Sequence, residues 1–168
     1  PLANGFYEYK SEDEARNLAY LESVVREVAR CSKPVVIAEF GWYGGGKPTF
    51  GNHAFASEQQ QAQWCSRLVE STAGLACGWL NWGFHDHPGA KDITEFSGLL
   101  TADGKVKAWG SKFKELSGHY SQQKITPSVP AKRPDMDWDL CITSAAERTK
   151  FHQQYLQAWQ ADKTRSPG

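Results

Sequence analysis

Two apolar runs constrain this chain more than any other feature. Pro34-Val35-Val36-Ile37-Ala38 and Leu75-Ala76-Cys77-Gly78-Trp79-Leu80-Asn81-Trp82 are nearly continuous in apolar residues, the pattern of strands buried on both faces. Between them, Ser57-Glu58-Gln59-Gln60 forms a capping box. Ala62, Cys65, Leu68, Val69 and Thr72 then mark one face of a helix, and Gly74 ends it. Two buried strands joined by a helix run parallel through a crossover. The chain is therefore expected to be α/β.

The strand starts at 34 and 75 lie 41 residues apart. A (β/α)8 barrel averages about 31 residues per unit, so one unit with a long loop fits. In that fold, chemistry sits at the C-terminal ends of the strands. Glu39 and Trp82 hold those positions.

The flanks read as follows. Ser11-Glu12-Asp13-Glu14 is another capping box. Leu18, Leu21, Val25 and Val28 continue at helical spacing, which predicts a helix over 12–31 that Lys33-Pro34 stops. Phe40-Gly41-Trp42-Tyr43-Gly44-Gly45-Gly46 must be a loop, and 83–97 a longer one. A helix is expected over 107–117. From 121 the composition changes: Pro127, Pro130 and Pro134 cluster with few large apolar residues, as in an extended linker or wrapping segment. Ser144-x-x-Glu147 caps a last helix carrying Phe151, Tyr155 and Trp159 in an i, i+4, i+8 stripe. The expected organisation is an α/β part over 1–120, a Pro-containing segment over 121–143, and a helix with a tail over 144–168.

Composition narrows the function classes. With 168 residues, the chain has room for one domain. Nineteen basic side chains balance nineteen acidic ones, which argues against a nucleic-acid binder. No apolar run reaches the roughly 18 residues of a membrane span. Seven tryptophans suggest flat apolar surfaces for a ligand as well as a core. Cys31, Cys65, Cys77 and Cys141 are spaced by 34, 12 and 64 residues, which fits no zinc pattern. A start at Pro1, with the only methionine at Met136, reads as cleavage, truncation or an incomplete sequence. The absence of a signal peptide then says nothing about secretion, and the compartment stays open.

Val36-Ile37-Ala38-Glu39-Phe40-Gly41 resembles the seventh strand of a retaining glycoside hydrolase of clan A, the group that includes the family 5 cellulases and mannanases. Gly78-Trp79-Leu80-Asn81-Trp82-Gly83-Phe84 resembles the eighth strand, and Gly98-Leu99-Leu100-Thr101-Ala102-Asp103-Gly104-Lys105-Val106-Lys107-Ala108-Trp109 the stretch into the last barrel helix. The resemblance covers about residues 1–117. It implies the C-terminal portion of a (β/α)8 barrel, roughly strands seven and eight with their helices, followed by a tail. It also implies that Glu39 is the nucleophile and that Trp82 floors the sugar subsite at the cleaved bond.

Such enzymes place a second carboxyl group about 5–5.5 Å from the nucleophile. The family carries it on strand four in an Asn-Glu pair, and no Asn-Glu pair occurs in this sequence. The implied partners are an oligo- or polysaccharide, a β-glucan or mannan, and the missing N-terminal barrel strands. Alone, the chain would then be inactive. No cofactor is expected.

Each residue also has a plainer reading. Glu39 could pair with a barrel Lys or Arg, and Trp82 could be a core indole. Trp42 and Tyr43 could line further subsites or pack on their own loop. Trp79, by strand alternation, reads as packing. Gly44-Gly45-Gly46-Lys47 lacks the spacing of a phosphate-binding loop. His85-Asp86-His87 lacks further ligands for a metal, and His85 or Asp86 reads better as a contact to sugar hydroxyls. Asp86, Asp92 and Glu95 are the nearby carboxylates that could replace the missing acid, with nothing in their context to favour them. A non-catalytic carbohydrate-binding module with exposed Trp residues is the alternative. A subunit that completes a barrel with another chain is a third possibility.

Overall fold

The computed structural model describes residues 14–51, 53–122 and 132–165. The elements run α1 (Glu14–Ala29), β1 (Val36–Phe40), α2 (Glu58–Thr72), β2 (Gly78–Asn81), a 3-10 turn (Ile93–Glu95), α3 (Ala108–Ser121), α4 (Trp138–Thr143) and α5 (Ala145–Arg165). The α/β class read from the sequence is the class observed: β1 and β2 pair in parallel, with α2 as the crossover between them.

Local chemistry sets the element ends. At α2, the Ser57 hydroxyl accepts from Gln60 N–H at 3.2 Å and Gln60 Oε1 accepts from Ser57 N–H at 2.8 Å, so the predicted capping box forms in full. The N-terminus of α3 is capped from a distance: Glu58 Oε2 accepts from Ala108 N–H at 2.9 Å, placing a carboxylate at the positive end of the helix dipole. α1 ends through Ser32, whose φ is +56°, just before Lys33-Pro34. The Ser11 capping box lies outside the described residues.

One face of the sheet is covered. Val35 and Ile37 pack with Val25, Leu75 and Ala76 beneath α1, while Phe40 joins Trp109 and Phe113 of α3. The other face is open: Val36 is 51% exposed and Leu80 57%. The apolar runs predicted strands buried on both faces, and the structure corrects this. Helices cover one side only, and among the described residues no third strand extends the sheet. A groove of about 570 Å³ runs between α1 and β1, lined by Tyr20, Val24, Val28, Val36 and Glu39 among others.

The C-terminal segment is docked on α1. Phe151, Tyr155 and Trp159 are all buried, as their stripe predicted. Arg133 Nε donates to Glu22 Oε1 at 2.8 Å and its Nη1 to Asp162 Oδ2. Tyr155 O–H donates to the same Glu22 oxygen at 2.9 Å. Pro127 and Pro130 lie outside the described residues. Within the expected linker, Trp138–Thr143 is helical, with the Asp137 carboxylate accepting from Leu140 N–H.

Burial, then the Glu22 charge, pushes the Tyr155 phenol above its ordinary value of 10.0. A raised folded-state value means this group's contribution to stability is complete below about pH 10 and is lost as pH rises through the folded value. Tyr155→Phe is expected to cost about 1.5–3 kcal/mol at neutral pH, the worth of a hydrogen bond to a charged group. It should also flatten the loss of stability above pH 10. Urea unfolding at a series of pH values checks both, and an unchanged alkaline limb would count against the assignment.

Candidate active site

The ladder between β1 and β2 is irregular where the chemistry was expected. Val36 pairs with Gly78 and Ile37 with Trp79, and the next pair is Phe40 with Asn81. Ala38 and Glu39 therefore stand opposite Leu80 alone, which is a β-bulge. Strict alternation would put Glu39 on the covered side with Ile37. The extra residue resets the phase, so that Ala38 and Glu39 are both exposed and Phe40 is buried. The bulge brings Glu39 out at the C-terminal end of β1. Among the described residues no donor is bonded to its carboxylate.

Trp82 follows the last residue of β2, and its N–H donates to Phe40 C=O at 2.7 Å. The residue is 46% exposed, and its Nε1 reaches Thr94 Oγ1 at 3.4 Å. Trp79 points to the covered side, where Nε1 donates to Thr72 Oγ1 at 2.8 Å and the ring tilts against Tyr120. The ends of the two paired strands thus carry an exposed carboxylate and an exposed indole.

Trp42 and Tyr43 are 5% and 3% exposed. Tyr43 O–H donates to Ala54 C=O at 2.8 Å, and the two rings sit 5.2 Å apart. Both rings pack within their own loop, and Trp42 also lines the groove that Glu39 borders. His85 is exposed, edge-on to Phe84 at 4.8 Å. The glycine run of the same loop answers to close packing: a Cβ on Gly44 would lie 2.5 Å from Gln61 Cβ and 2.6 Å from Ser57 C=O.

The three carboxylates weighed as substitutes for a second acid are all engaged. Asp86 accepts from Lys107 Nζ at 2.9 Å and from Gly98 N–H at 2.9 Å. Burial pushes its carboxyl above the ordinary value, and Lys107 opposes the shift. Asp92 accepts from Thr94 N–H at 2.7 Å, and bonding from Thr94 holds it below the ordinary value. Glu95 is buried, taking Thr49 N–H at 2.6 Å and Thr49 O–H at 2.7 Å. Among the described residues no group of three potential ligands could hold a metal ion, and no helix is long and apolar enough to cross a membrane.

Three further residues shape the site. Asn81 accepts from Trp109 Nε1 at 2.7 Å and donates to Gly83 C=O at 2.8 Å, fixing the turn after Trp82. Gln61, fully buried on α2, donates to Trp42 C=O at 2.8 Å. Lys107 is buried just before α3. A polar residue on an otherwise apolar helix face is the one sequence signal that could have found Gln61. A lone lysine at a helix start gives none.

These placements make the two tryptophans differ. Trp79→Ala is expected to cost about 3–5 kcal/mol, the loss of a large packed side chain, and Gly44→Ala about 2–3 kcal/mol through overpacking. Trp82→Ala should change stability by less than about 1 kcal/mol, as at an exposed position. Denaturant melts of the three variants check this, and a Trp82→Ala cost equal to that of Trp79→Ala would make Trp82 a core residue.

No family model matches the chain, and no curated protein matches it. Among solved structures, the chain is similar to the β-D-glucuronidase of Dictyoglomus thermophilum, with 21% identity over 64% of this chain and 20% of that one, at a TM-score of 0.47. It is also similar to the β-glucuronidase of Faecalibacterium prausnitzii, with 20% identity over 71% of this chain and 21% of that one, at a TM-score of 0.49. The chain spans about a fifth of the length of either structure.

Proposed function

We propose that the chain is the C-terminal portion of a (β/α)8-barrel retaining β-glycosidase, with Glu39 as nucleophile and Trp82 as the platform for the sugar it attacks. The observation that supports this reading is the bulge that leaves Glu39 exposed at the C-terminal end of β1, while the exposed Trp82 follows the C-terminal end of the parallel strand β2. The family 5-like motifs around both residues support it. In the reaction, a Glu39 oxygen forms a bond to the anomeric carbon as the bond to the leaving oxygen breaks. The leaving oxygen takes a proton from a second carboxyl group, and water then releases the sugar from Glu39. Asp86, Asp92 and Glu95 are committed elsewhere, so that second group comes from upstream barrel strands. The groove beside β1 and the open sheet face are the surfaces those strands would cover.

The substrate class is a β-glucan or mannan. His85, exposed near Trp82 in the sequence, is the candidate for a hydroxyl contact, and Trp42 and Tyr43 support the loop from beneath. A carbohydrate-binding platform without turnover is the second reading, favoured by the exposure of both Trp82 and Phe84.

Titration of the chain with β-linked gluco- and manno-oligosaccharides, followed by tryptophan fluorescence, tests the shared part. Binding is expected, lost on Trp82→Ala. No response to any β-oligosaccharide would sink both readings. Turnover separates them. The chain alone should hydrolyse nothing, and the chain joined to its upstream strands should hydrolyse the substrate. Glu39→Gln should then lower the rate at least roughly a thousandfold, as loss of a nucleophile does. Binding that persists in a chain with no catalytic parent would leave the platform.

A further inference from the structure

We infer that Lys107 is the positioning residue of this site: its buried ammonium fixes the loop that follows Glu39 against the loop that follows Trp82. The inference rests on the reading of Glu39 and Trp82 given above.

The ladder between the strands ends at the bond from Trp82 N–H to Phe40 C=O. Beyond it the two loops are tied by Gly44 N–H to Phe96 C=O at 3.0 Å and by Thr49 N–H and O–H to Glu95 at 2.6 and 2.7 Å, and Lys107 adds a cationic link that reaches both loops at once. Lys107 Nζ donates to Gly44 C=O at 2.7 Å, to Phe96 C=O at 2.8 Å and to Asp86 at 2.9 and 3.1 Å. Gly44 lies on the loop after Glu39. Asp86 and Phe96 lie on the loop after Trp82. An ammonium has three N–H donors, and here each of the three acceptor groups takes one.

The Lys107 side chain has no exposure to solvent, and that of Asp86 is 10% exposed. A charge taken this far from water is stable only with its full set of partners. The loops are therefore held at one spacing, because any drift leaves a buried charge under-bonded. Gln61 bridges the same two loops with neutral bonds, to Trp42 C=O at 2.8 Å and Phe96 C=O at 3.3 Å. The charged bonds from Lys107 are the shorter and stronger set. A displacement of about 1 Å at reacting groups can cost a hundredfold in rate, so this clamp bears directly on the chemistry.

Amide hydrogen exchange on the full chain tests the inference, comparing Lys107→Met and Asp86→Asn with Lys112→Met, an exposed control paired with Glu115. Lys107→Met is expected to speed exchange at least tenfold in residues 42–46 and 84–98 while the amides of α2 keep their protection. Asp86→Asn should act in the same direction, and it carries the test if Lys107→Met does not fold. Lys112→Met should change nothing there. Unchanged loop protection, or loops and α2 weakening by one common factor, would overturn the clamp. Oligosaccharide titration adds the functional arm: Lys107→Met should bind at least tenfold more weakly at a temperature where α2 stays protected, and native affinity with loosened loops would overturn the positioning role. If the native chain binds no β-oligosaccharide, the sugar reading fails, while exchange alone still decides whether Lys107 clamps the loops.

Discussion

The backbone carbonyl of Phe96 is where the parts of the site meet. It accepts from Gly44 N–H at 3.0 Å, from the Gln61 amide at 3.3 Å and from the Lys107 ammonium at 2.8 Å. These donors come from the loop after β1, from the crossover helix and from the start of α3. One oxygen thus ties together three segments that share no ladder. All three donors are buried, where hydrogen-bonding groups are almost always paired. The aromatic residues of the loop, Trp42 and Tyr43, then pack over a frame already fixed by polar bonds.

The sheet above this frame is lopsided. Helices shield one face, where Val35, Ile37, Phe40 and Trp79 are packed, while Val36, Leu80 and Trp82 face outward. Ordinary soluble domains do not present an apolar sheet face without a partner of some kind. The bulge adds a carboxylate to that face at its C-terminal end.

What the sequence made legible was local. The Ser57 capping box, the buried face of α2 and the Phe151-Tyr155-Trp159 stripe depend on residues within a turn or two of each other, and each appears as read. The parallel pairing followed from the crossover length. The apolar runs alone did not show the open sheet face, because an apolar run reports what a strand could bury and not what lies over it. The bulge was hidden as well: Ala38 and Glu39 look like consecutive residues of one strand until Leu80 is seen opposite both. Lys107 had no signal because its acceptors lie well away in sequence, two of them backbone oxygens that carry no side-chain identity. α4 was missed because the prolines before it dominated the local composition, although Asp137 is a good helix cap.

The ion pair that docks the tail has a consequence for the order of events in folding. Arg133 and Glu22 are 111 residues apart in sequence. Closing a loop of that length costs more chain entropy than any contact within the β1-α2-β2 unit. Contacts of such long range form late and slow the folding of chains that depend on them. During synthesis, Glu22 emerges long before Arg133 exists to neutralise it. Until the last helix is made, α1 must therefore keep that face hydrated, and the βα unit has to hold together without the support of the tail.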